Sequence, residues 1–121
     1  KKYLNIGTTS EEIGSGMDNT KKIIEIQGKG MYAASICFFY DGGGKKDWFL
    51  PSAYELEFIY TNLYLNNIGA FAADGYWSST EDDAKNAVVI DFYTGHYFVV
   101  EKNWDNIFHN GYRRVRAIRA F

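Results

Sequence analysis

Val88-Val89-Ile90-Asp91-Phe92-Tyr93-Thr94-Gly95-His96-Tyr97-Phe98-Val99-Val100-Glu101 is rich in β-branched and aromatic residues on both sides of a Thr-Gly pair. Thr94-Gly95 reads as a tight hairpin turn, with glycine supplying the positive φ. A two-residue loop pairs Tyr93 with His96, Phe92 with Tyr97, Asp91 with Phe98 and Ile90 with Val99. Successive strand side chains point to opposite faces. One face then carries Val88, Ile90, Phe92, Tyr97 and Val99, which is core. The other carries Val89, Asp91, Tyr93, His96, Phe98 and Val100. A buried face would not tolerate that mixture of acid, histidine and rings, so it is expected to be exposed. An exposed face of that composition reads as a binding surface.

Upstream, Ser52 and Glu55 stand at capping-box spacing just after Pro51. Leu56, Ile59, Tyr60 and Leu63 follow at i, i+3, i+4 and i+7, predicting an amphipathic helix that ends near Asn66–Gly69. Two shorter helices are expected before it. One is capped by Asn19 or Thr20 and runs to about Gln27; the other spans Met31 to Tyr40. Gly42, Gly43 and Gly44 form a turn, since no Lys-Ser/Thr ending makes them a phosphate loop. A short strand is expected at Tyr3–Ile6, another at Tyr76–Ser79, then Ala87–Tyr93, His96–Glu101 and Tyr112–Ala120. Helices first and strands late argue an α+β fold rather than a doubly wound parallel sheet.

Downstream of the hairpin, Trp104-Asp105-Asn106-Ile107-Phe108-His109-Asn110 lies between two expected strands and reads as a loop. Large rings beside short polar side chains are the chemistry of a recognition loop. The candidate ligand-binding residues are therefore Val89, Asp91, Tyr93, His96, Phe98 and Val100, with Trp104, Asp105, Asn106, Phe108, His109 and Asn110.

The 121 residues suit one domain, 1–121. Aromatics make up 18% of the chain, more than its core needs, so some rings should reach the surface. The net charge of −2 gives no general case for nucleic acid, although Arg113, Arg114, Arg116 and Arg119 cluster near the end. No apolar run approaches the roughly 20 residues of a membrane span. Cys37 is alone and reads as a small buried hydrophobe, without a disulfide or a cysteine-based metal site. No motif calls for a cofactor.

Asp47-Trp48-Phe49-Leu50-Pro51-Ser52-Ala53-Tyr54-Glu55-Leu56, then Tyr76-Trp77-Ser78-Ser79-Thr80-Glu81, Asn86-Ala87 and Val115-Arg116-Ala117-Ile118-Arg119-Ala120-Phe121 together resemble one family. It is the bacterial domain at the C-terminus of collagen-like adhesins, and the likeness runs from about Gly14 to Phe121. The resemblance implies a C-type lectin-like fold and a recognition role, on a bacterial surface, secreted, or on a phage particle. Such domains include adhesins for sulfated glycans and the variable proteins of diversity-generating retroelements. In the latter, the diversified positions would be those matching Val89, Asp91, Tyr93, His96, Phe98, Val100 and the Trp104–Asn110 loop. Asn, Asp, Tyr, His, Phe, Ile and Val, which dominate here, all lie one or two adenine substitutions from an Asn codon. The implied partner is a protein or glycan ligand, with no nucleic acid and no membrane insertion. Relatives form trimers, so a homo-oligomer is a further expectation, and a glycan-binding adhesin without diversification or a trimerisation domain are the alternatives. The resemblance also makes Trp48, Pro51, Trp77 and the terminal arginines scaffold, with Glu55 or Glu81 as partners for the arginines.

An enzyme is the disfavoured reading. Related oxidases need a cysteine pair. Ser78, His96 and Asp91 make a triad only on paper, without a nucleophile elbow or an oxyanion signal. Trp104-Asp105-Asn106 inverts the order of the Trp-Asn-Asp found in calcium-dependent lectins. The usual Glu-Pro-Asn is missing too, as Pro51 is the only proline. Calcium wants about six to eight oxygens. Lys21, Lys22, Lys29, Lys45 and Lys46 could meet sulfate but are dispersed among acids.

Overall fold

The computed structural model describes residues 7, 10–30, 32–82, 86–101 and 113–119. The expected strand at Tyr3–Ile6 and the Trp104–Asn110 loop lie outside those residues. The fold is α+β. Three helices, α1 (Gly16–Gln27), α2 (Ala33–Phe38) and α3 (Ala53–Asn62), precede β1 (Gly75–Glu81), β2 (Asn86–Asp91), β3 (Tyr97–Glu101) and the two-residue β4 (Arg113–Arg114). The sheet order is β3-β2-β1-β4. β1, β2 and β3 are antiparallel neighbours, and β4 joins β1 in parallel.

α3 starts where the capping box places it. The Ser52 hydroxyl accepts from the Glu55 N–H, and the Glu55 carboxylate accepts from the Ser52 N–H at 2.8 Å. The helix stops at Asn62, and a 3-10 turn over Tyr64–Asn66 carries the chain on. α1 begins a turn before Asn19 and Thr20, because those side chains serve long-range contacts instead of capping. Thr20 Oγ1 accepts from the Leu50 N–H at 3.0 Å, and the Asn19 amide donates to the Ser10 carbonyl at 3.0 Å.

Both faces of the sheet are covered at β1 and β2. On one side α3 packs Leu56 and Ile59 against Tyr76, Val88, Ile90 and Phe92. On the other, Ala33, Ala34, Cys37 and Leu50 pack against Trp77 and Val89, with Ile23 and Ile24 of α1 alongside. Burial pushes the Cys37 thiol up to about 12. Phe49 and Ile118 exchange both backbone hydrogen bonds at 2.9 Å, fastening the C-terminal segment beside the start of α3.

Two of the terminal arginines have partners other than Glu55 or Glu81. Arg119 forks onto Asp47 at 2.5 and 3.0 Å, and Arg114 reaches Asp74 at 2.7 Å. Glu55 is occupied by the helix cap and by the Gly14 N–H at 2.8 Å. Glu81 is buried and accepts from the Gly7 N–H at 2.7 Å, whereas its neighbour Asp82 is exposed.

Candidate functional site

The β2–β3 hairpin is longer-looped than a Thr-Gly turn requires. Ile90 pairs with Tyr97, Val89 with Phe98 and Val88 with Val99. The Asp91 N–H donates to the His96 carbonyl at 2.9 Å, closing a loop of Phe92, Tyr93, Thr94 and Gly95. This register is displaced by two residues from the expected one. A displacement of two keeps every side chain on its face, whereas a displacement of one would have inverted them all.

The loop is held at its root and at its neck. Phe92 is fully buried among the rings of Tyr60, Tyr64, Phe71 and Tyr76, with centroids 4.6 to 5.7 Å apart across the cluster. Asp91 holds the neck: Oδ1 accepts from the Tyr93 N–H at 2.8 Å, and its carbonyl accepts from the Gly95 N–H at 2.7 Å. Gly95 has φ +84°, and a Cβ there would meet the Tyr60 ring at 2.7 Å, so the position requires glycine. With Phe92 plugged inward, Tyr93 is thrown outward and is 78% exposed.

The face expected to be open is open only at the loop end. Val89 is 3% exposed, and Val100 is half-buried against the same cluster. The reason is the cover on that side: the second core reaches Val89 at mid-strand and leaves Asp91, Tyr93, His96 and Phe98 beyond its edge. The opposite face also departs from expectation. Val88, Ile90 and Phe92 are core, but Tyr97 and Val99 are 53% and 46% exposed. α3 packs on β1 and β2, so β3 extends past the core on that side.

An open concavity of about 410 Å³ sits at this margin. Of the residues singled out in the sequence, Val89, Asp91, Tyr93, Phe98 and Val100 line it; His96 is exposed beside it. Ala73, Asp74 and Gly75 complete the wall. Asp74 accepts a hydrogen bond from Arg114, which raises the guanidinium's pKa. Sequence reasoning missed Asp74, which comes beside β2 through the Gly75–Asp91 pairing, and Arg114, which the Gly75–Arg113 pairing brings to Asp74 from the far side of β1. The Asp91 carboxylate is engaged within the loop, which makes it an organiser of the site rather than a free polar contact. Trp104, Asp105, Asn106, Phe108, His109 and Asn110 lie outside the described residues.

Ser78, His96 and Asp91 do not assemble. The buried Ser78 hydroxyl donates to the Val88 carbonyl at 2.7 Å, and Asp91 serves the loop. A larger groove of about 850 Å³, mostly apolar, runs between α2, α3 and the C-terminal segment. Its rim carries Arg116 over the Phe71 ring at 4.2 Å and Arg119 over the Trp48 ring at 5.7 Å. Among the described residues no helix is long and apolar enough to cross a membrane. No protein-family model matches the chain, and no curated protein does.

Proposed function

We propose that this chain is a C-type lectin-like recognition module, related to the C-terminal domains of collagen-like adhesins and to retroelement-diversified proteins. It binds a protein or glycan through Tyr93, His96 and Phe98. It acts by binding and does no chemistry on its ligand. One observation carries the reading: an exposed tyrosine and phenylalanine line a concavity beside a loop whose root is fixed in the core, and the exposed His96 lies between them in the chain. Rigid aromatic anchors on a fixed support give affinity at low conformational cost. Asp91 contributes by setting the loop conformation, and Val89 by forming the floor.

The test is a binding screen against immobilised bacterial surface proteins and a glycan array, followed by Tyr93→Ala and Phe98→Ala. Each variant should weaken binding at least about tenfold while its thermal unfolding stays unchanged. Binding that survives both substitutions would place the ligand surface elsewhere. Diversification has a separate test in the source genome: a near-repeat of the 3′ coding region beside a reverse transcriptase gene. Its absence would leave a fixed-sequence adhesin.

A further inference from the structure

Among the described residues, β3 is an edge strand of the sheet. It is bonded on one side to β2 and on the other, among the described residues, to nothing. In an antiparallel ladder, hydrogen-bonded and non-bonded pairs alternate. The Asp91–His96 bond fixes the phase, so Phe98 and Val100 direct their backbone groups to β2. The N–H and C=O groups of Tyr97, Val99 and Glu101 therefore face outward. Natural edges are blunted by proline, lysine, bulges or a covering element. β3 reads Tyr-Phe-Val-Val-Glu, with no proline, lysine or bulge in it; none of the described residues covers its outer edge, and Tyr97, Phe98 and Val99 are half-exposed on its two faces.

We infer that the outer edge of β3 pairs with β3 of a second copy of this chain, antiparallel and about a two-fold axis at Val99. The strand complements itself in that register. Val99 lies opposite Val99, with Tyr97 opposite Glu101 of the second copy, so every outward backbone group of one strand meets one of the other. Phe98 lies opposite Val100 as a close apolar pair. No like charges stand opposite one another. Two copies joined this way form one continuous sheet, and the edge contact leaves both faces open. The concavities beside Tyr93 and Phe98 then lie on the same side of a double-width surface.

Sedimentation velocity of the whole chain, from low micromolar to near-millimolar concentration, should show a monomer–dimer equilibrium. Val99→Lys places two ammonium groups face to face and should weaken the dimer about tenfold or more. Val99→Glu should do the same, and mixing the two variants should restore a dimer, now mixed. In the unmodified chain, the amides of Tyr97, Val99 and Glu101 should gain hydrogen-exchange protection as concentration rises, while those of Phe98 and Val100 stay protected throughout. The exchange arm decides the matter even if a Val99 variant fails to fold. A chain monomeric over the whole range overturns the inference and leaves the edge to a foreign strand. A trimer, or a dimer indifferent to both substitutions, overturns it as well.

Discussion

Phe92 and Tyr93 are adjacent aromatics with opposite fates, and exchanging each for alanine tests the account of the hairpin directly. Phe92 has no exposed surface and lies 4.6 Å from the Tyr76 ring, 5.3 Å from Tyr64, 5.4 Å from Tyr60 and 5.5 Å from Phe71. A buried Phe→Ala costs about 3–5 kcal/mol through lost transfer energy and the cavity left behind. Four surrounding rings that cannot all collapse onto the gap put Phe92→Ala at the upper end. Phe92→Leu keeps most of the volume but loses the ring contacts, for about 1–2 kcal/mol. Domains of this kind hold about 5–15 kcal/mol in total, so the alanine variant should lose a large part of its stability. Tyr93→Ala, at 78% exposure, should stay within about 0.5 kcal/mol of the parent. Urea unfolding followed by circular dichroism measures both, with an unchanged m-value as the check on two-state behaviour. A Phe92→Ala loss below about 1 kcal/mol, or an equal loss for Tyr93→Ala, would refute the inward-plug, outward-tip arrangement.

Ser52→Ala removes the acceptor of the α3 capping box and a donor to the Glu12 carbonyl at 2.9 Å, and should cost about 1–2 kcal/mol in the same unfolding assay. Cys37 is fully buried with its thiol pushed up to about 12, so a thiol reagent at pH 8 should label it only at the rate of global unfolding. The Arg119 hydrogen bond holds the Asp47 carboxyl below its ordinary range, so that pair supports the fold above the usual carboxylate pKa and is lost as pH falls through the depressed value. Arg119→Ala should raise the Asp47 midpoint, followed by NMR titration, back toward the ordinary carboxylate range.

Local signals were legible in the sequence and pairings at a distance were not. Ser52 and Glu55 declared the start of α3 because a capping box is read within four residues. The partition of the hairpin into Val88/Ile90/Phe92 and Val89/Asp91/Tyr93 also survived, since strand alternation is insensitive to a displacement of two. Loop length was misread because Phe92 is drawn into a cluster built by Tyr60, Tyr64, Phe71 and Tyr76, none of which is its neighbour in sequence. Val89 was misplaced for a related reason. Whether a strand face is covered depends on where α1 and α2 lie, and no periodicity within β2 encodes that. Asp74 joined the candidate site through β1, and Arg114 reaches Asp74 because β4, more than thirty residues later in the chain, pairs with the other edge of β1.

The reciprocal bond between Phe49 and Ile118 also bears on how the chain is made. These residues stand roughly seventy positions apart, and a ribosome adding about 5–20 residues per second needs roughly 3–14 s to travel between them. α1 and α2 precede that interval, and α3 and the β1–β3 meander are made within it. Through that interval Val115, Ala117 and Ile118 are not yet present to close the two cores, and the surfaces around Trp77 and Leu63 face solvent or a chaperone. The arrival of residues 115–118 is thus a sealing event. A translational pause placed before residue 113 would prolong the window in which a nascent chain exposes both its open strand edge and its unsealed interior.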